Sequence, residues 1–135
     1  MKYAKTKRFY IDMEKKITKS YLRQNPDHIF VFGDNLIRKG KGGAAILRDE
    51  PNVYGFITKK LPNNNEGSFY KPDEYRQKFE VELKRLIEEI ERFPNKIFMI
   101  SKLGGGLANR YGIYEKVIQS GLEVLKQYPN VKFLF

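Results

Sequence analysis

The chain has 135 residues, with 26 Lys and Arg against 16 Asp and Glu, a net charge of +10. That length suits one domain able to bury a core, and 41% hydrophobic with 14% aromatic residues fits a folded chain rather than a disordered one. The lack of cysteine rules out disulfides and thiolate metal sites, the single histidine rules out a histidine metal cluster, and no apolar run reaches the ~20 residues of a transmembrane helix.

The positive charge points to anionic partners: nucleic acid, nucleotides or phosphorylated ligands. It fits a solubilising surface equally well. The N-terminus MKYAKTKRFY does not read as a signal peptide. The expected location is therefore the cytoplasm, with no membrane partner.

In chain order, Lys7–Asp12 (KRFYID) reads as a short edge strand and Lys15–Gln24 as a short helix ending near Asn25-Pro26. Ile29–Phe32 (IFVF) is a continuous apolar run, the pattern of a strand buried on both faces. Gly42–Arg48 reads as a helix opened by glycines and stopped before Pro51. Val53–Thr58 (VYGFIT) is the next strand, and Pro62–Pro72 a turn-rich loop. Asp73–Phe93 is the clearest helix, with Pro72-Asp73-Glu74 at its start and Phe79, Leu83, Leu86, Ile87 and Ile90 at helical spacing. Lys96–Ile100 (KIFMI) is a second buried-strand run. Gly104-Gly105-Gly106, a helix over Tyr114–Gln127 and a strand over Val131–Phe135 complete the chain.

Strands alternating with helices predict an α/β domain over residues 1–135, three-layered, with a largely parallel sheet. In such sheets ligands bind at the carboxyl ends of strands. Both glycine loops, Asn35 and the Lys59-Lys60 pair fall at those ends, and that convergence carries more weight than any one motif.

Each motif has a plainer reading. Gly40-Lys41-Gly42-Gly43 suits close backbone approach and amides facing an anion, or an ordinary turn. It is not a P-loop, because Ala44-Ala45 stands where Lys-Ser/Thr should follow, nor is it the dinucleotide fingerprint. The triple glycine at 104–106 exceeds what a turn needs. Asn35 beside Asp34 is turn chemistry or an amide for a sugar hydroxyl. Lys59 and Lys60 should point to opposite faces; a cleft-facing lysine is a phosphate counter-ion or, with its pKa lowered by burial, a nucleophile. Phe69 and Tyr70 either stack on a base or cap the core. His28, just before an apolar run, reads as a strand-edge histidine.

From about residue 28 to 128 the chain resembles a macrodomain, the fold that binds ADP-ribose, and within it the branch of terminal ADP-ribose glycohydrolase and the DNA ADP-ribose glycohydrolase antitoxins. Three segments carry the likeness: Asn35 through GKGGAA, the strand VYGFITKK at 53–60, and FMISKLGGGL at 98–107. Short phage and bacterial proteins with a VFGDN…GKGG pattern look similar too. The resemblance implies ADP-ribose or a related nucleotide as ligand, with ADP-ribosylated protein or nucleic acid as possible carriers, and no cofactor or metal. It implies Gly42, Gly43 and Ala44 along the first ligand loop, with Asn35 near the distal ribose. Gly104, Gly105, Gly106 and Leu107 would lie along the diphosphate, and Asp12 on the adenine.

By the same resemblance Lys59 matches the lysine that attacks the anomeric carbon in hydrolases of that branch. Their assisting aspartate is here replaced by Ala108, followed by Asn109, and removing a general acid/base typically costs about 10²–10⁴-fold. Asp34 is the candidate substitute. Nucleotide binding is thus the first expectation and lysine-dependent hydrolysis the second. A basic nucleic-acid-binding module with structural glycine loops and a non-catalytic sensor or sponge for a signalling nucleotide are the alternatives.

Overall fold

The computed structural model describes residues 17–135. The predicted strand Lys7–Asp12, Asp12 itself and the first two residues of the predicted Lys15–Gln24 helix lie outside the described residues. Helix α1 runs over Lys19–Gln24, capped by the Thr18 side chain, which accepts the Tyr21 N–H.

Four strands form one sheet: β1 (His28–Asn35), β2 (Val53–Lys59), β3 (Ile97–Ile100) and β4 (Val131–Phe133). The order is β2-β1-β3-β4 and every strand pair is parallel. The architecture is the expected α/β, and among the described residues the sheet is wholly parallel. Its only antiparallel pairing among the described residues is an isolated bridge between Lys59 and Phe69.

The continuous apolar runs are buried on both faces because each face has its own core. On one side Val31, Phe98 and Ile100 pack beneath α2 (Pro72–Arg92) and the last helical segment. On the other side Phe30, Phe32 and Met99 pack against Leu22 of α1 and Leu47. This is the three-layer arrangement that the alternating pattern predicts.

Helix α2 presents Tyr75, Phe79, Glu82, Leu86 and Ile90 to the sheet. Spacings of three, four and seven put these on one face, and each buried apolar side chain contributes roughly 1.5–3 kcal/mol. The two polar members hold β2, which lies at the edge of the sheet. Glu82 Oε1 accepts the Ile57 N–H at 2.7 Å, and the Tyr75 hydroxyl donates to the Ile57 carbonyl. An edge strand leaves alternate backbone groups unpaired; here one helix satisfies both groups of the same residue.

The segment predicted as a helix at Gly42–Arg48 is only a five-residue 3₁₀ turn, Gly43–Leu47. Two leading glycines and the stop at Pro51 leave too little chain for a nucleated α-helix. The last helical segment, α3, is continuous but irregular: a π turn at Tyr114–Ile118, Gln119–Gly121, then a 3₁₀ stretch at Leu122–Gln127. Tyr, Val, Ile and Gly are weak helix formers, so packing sets its winding. A methyl at Gly121 would sit 2.2 Å from the Phe79 ring, which shows how closely α3 lies on α2.

Candidate functional site

Strand order reverses at the sheet centre. From β1 the chain passes outward to β2, and from β3 it passes the other way to β4. The loops leaving β1 and β3 therefore diverge, opening a crevice at their carboxyl ends. A cleft of about 550 Å³ occupies that position, within the size range of small-molecule sites. Its walls are the loop after β1, the end of β2 and the loop after β3. Five cationic side chains line it (Lys39, Lys41, Arg48, Lys59 and Lys102) against one carboxylate, Asp34.

That carboxylate is fully engaged. Asp34 Oδ1 accepts the Asn35 N–H at 2.8 Å and Arg48 Nη2 at 2.8 Å, while Oδ2 accepts Arg38 Nη1 at 3.2 Å and Arg48 Nη1 at 3.0 Å. Gly55 on β2 is what admits this cluster, since a Cβ there would lie 2.3 Å from Asp34 Oδ2. Arg48 also donates to the carbonyls of Gly40 and Lys39, each at 3.0 Å, and stacks on Phe32. Asp34 thus sits at the cleft as an anchor for two arginines. A proton-transfer role would require it to give up these donors.

Asn35 is likewise committed to its own loop: Nδ2 donates to Lys39 O at 2.8 Å and Oδ1 accepts the Ile37 N–H at 3.2 Å. The turn chemistry is realised, and it shapes the loop that carries Gly40 to Gly43. Gly42, Gly43 and Ala44 line the cleft, and a Cβ at Gly42 or Gly43 would meet open space.

Of the two lysines ending β2, Lys59 lines the cleft and Lys60 does not. Lys60 pairs with Glu74 at 3.0 Å and lies over Tyr70. A register shift between Asp34 and Asn35 pairs Asn35 with Lys59 and leaves Thr58 as the extra residue; such a bulge re-aims the side chains beyond it. Lys59 Nζ donates to Asn63 O at 2.9 Å and sits 4.7 Å from the Phe69 ring centre. Burial lowers its pKa below the ordinary lysine value.

On the opposite wall Gly104, Gly106, Leu107 and Ala108 line the cleft. Gly105 does not; a Cβ there would run into the Lys102 stem. Gly104 has φ +72 and its backbone lies against Ile118, so it serves packing as well. Asn109 turns to α3, accepting the Tyr114 N–H and donating to Glu115. Ala108, where the resemblance places a carboxylate, puts only a methyl at this wall.

Phe69 and Tyr70 are buried, Tyr70 against Tyr75, so neither ring is presented for base stacking. His28 begins β1 at the end of the sheet away from the cleft, its Nδ1 beside the Tyr21 hydroxyl. Lys39, Arg48 and Lys102 are cationic cleft residues that sequence reading did not single out, and Arg48 is the one bonded to Asp34. The available signal was Asp34 itself, a carboxylate ending an apolar strand and therefore in need of cationic partners.

A model of the family of unknown function DUF7831 matches residues 12–110, more than two thirds of the chain. The chain belongs to that family. The DUF7831 match spans both glycine loops and the Lys59-Lys60 strand end, so the whole cleft lies within it. No curated protein and no solved structure matches the chain. Among the described residues no helix is long and apolar enough to cross a membrane, and no group of His, Cys, Asp and Glu could hold a metal ion.

Proposed function

We propose that this cleft binds a nucleotide carrying a diphosphate, ADP-ribose or a related NAD-derived molecule, in the manner of a macrodomain. The observation that carries the proposal is the meeting of two glycine loops and five cationic side chains at the reversal of strand order. Glycine loops bring peptide amides close to phosphate oxygens, and the lysines supply charge without fixing orientation. The resemblance of the Asn35–Ala45, Val53–Lys60 and Phe98–Leu107 segments to macrodomains supports this choice of ligand.

Binding without turnover is the reading favoured. Lys59 has the position and the lowered pKa of a nucleophile, but among the described residues its cleft offers no free carboxylate, because Ala108 stands on one wall and Asp34 is held by two arginines. A sensor or sponge for a signalling nucleotide fits these facts better than a hydrolase. Calorimetry with ADP-ribose tests the ligand, and incubation of ADP-ribosylated protein or DNA with the chain tests turnover. Release of ADP-ribose that disappears in Lys59→Ala would overturn the non-catalytic reading.

One observation favours a second reading, a nucleic-acid surface. Arg110 and Lys71 both lie over the ring of Tyr111, forming a cationic and aromatic cluster beside the buried Phe69 that Lys59 also covers. Binding to plain DNA that collapses between about 50 and 200 mM salt would favour that reading.

A further inference from the structure

Arg48 does more than neutralise Asp34. Its Nε and Nη2 draw the carbonyls of Gly40 and Lys39 toward the guanidinium, and the Asn35 amide holds the same Lys39 carbonyl. A trans peptide sets the N–H of one residue opposite to the carbonyl of the residue before it, and the described chain has no cis bond. The N–H groups of Gly40 and Lys41 are therefore turned away from Arg48. No acceptor among the described residues takes either of them. Gly40 reaches this conformation at φ +92, and a Cβ there would lie 3.0 Å from the Pro62 side chain.

We infer that residues 39–41 form a preset anion nest, in which Arg48 positions the Gly40 and Lys41 amides to take one phosphate group. Successive free amides in a turn make such a concavity. With Nε and both terminal nitrogens bonded to Asp34 and the two carbonyls, Arg48 is spent on the loop rather than on ligand. Charge around the nest comes from the Lys39 and Lys102 side chains lining the same cleft, while the Lys41 ammonium is paired with Asp49. The inference rests on the nucleotide reading only for the identity of the larger ligand; the nest requires a phosphate.

The test is an amide spectrum of the full chain titrated with inorganic pyrophosphate, then with ADP-ribose. The nest requires saturable shifts of the Gly40 and Lys41 amides with pyrophosphate; their absence overturns it. Arg48→Lys keeps the charge and removes the fork, so it should displace both resonances in the free protein and weaken pyrophosphate binding about tenfold, the equivalent of 1.4 kcal/mol. Unchanged affinity in that variant would remove Arg48 from the positioning role. Should Arg48→Lys fail to fold, Asp34→Asn, which loosens Arg48 at constant side-chain shape, takes its place with the same expected loss. The two ligands separate the claims. Pyrophosphate shifts without ADP-ribose binding would keep the nest and refute the nucleotide, and ADP-ribose binding without these shifts would do the reverse.

Discussion

Replacing Tyr75 with Phe removes one oxygen from the clamp that α2 places on the sheet edge. The Tyr75 side chain is fully buried, and its hydroxyl donates to the carbonyl of Ile57, itself 2% exposed. Burial pushes that hydroxyl well above the ordinary phenol range, so it is a donor at every working pH. The ring and its contacts with Tyr70 and Phe79 are kept in the variant. The loss is therefore one hydrogen bond plus a buried carbonyl without its partner, together about 2 kcal/mol. For a domain of this size that corresponds to a Tm lowered by roughly 6–10 °C. Urea unfolding followed by circular dichroism reads the change as a lower midpoint at constant slope. A loss below about 0.5 kcal/mol, the range of an ordinary surface change, would refute the clamp.

Gly121→Ala should destabilise by about 1–3 kcal/mol through overpacking on Phe79. Phe79→Leu in the same chain should recover part of that, and additive effects in thermal unfolding would deny the contact. The lowered pKa of Lys59 means that the folded state holds this proton less tightly than the unfolded chain does. Its contribution to stability therefore rises with pH between the lowered value and the ordinary 10.5. Acetylation with a limiting reagent, read by peptide mass, should show Lys59 reaching its half-maximal rate at lower pH in the folded chain than in the same chain unfolded in urea. Coincident profiles would place Lys59 in ordinary solvent.

The strands were legible because burial on both faces leaves unbroken apolar runs, as in IFVF and KIFMI, that only a covered parallel sheet accommodates. The long helix was legible from its period and its Pro-Asp-Glu start, where Glu74 Oε1 accepts the Lys71 N–H. Local pattern failed at Gly42–Arg48, where the same small residues suit a helix start or a 3₁₀ turn and tertiary contact decides. Alternation separated Lys59 from Lys60 but could not say which faces the cleft, since that depends on the bulge at Thr58. The Asp34–Arg48 pairing was hidden by a separation of 14 residues, across which an arginine reads as one more solvated charge. Asn35 illustrates the overlap of roles: the amide that suits a sugar hydroxyl also suits its own loop, and the loop holds it.

The most direct test of the nucleotide cleft is calorimetry with ADP-ribose at moderate salt on the parent chain and on Gly42→Glu. Gly42 has φ −78, and a side chain there meets nothing within 4 Å, so the substitution adds bulk and negative charge to the cleft without straining the backbone. Gly43, at φ +57, offers no such clean change. Saturable heat in the parent, lost in a Gly42→Glu chain of unchanged thermal stability, is the predicted result. No heat in the parent, or equal binding by both proteins, would contradict the assignment of this cleft to a nucleotide.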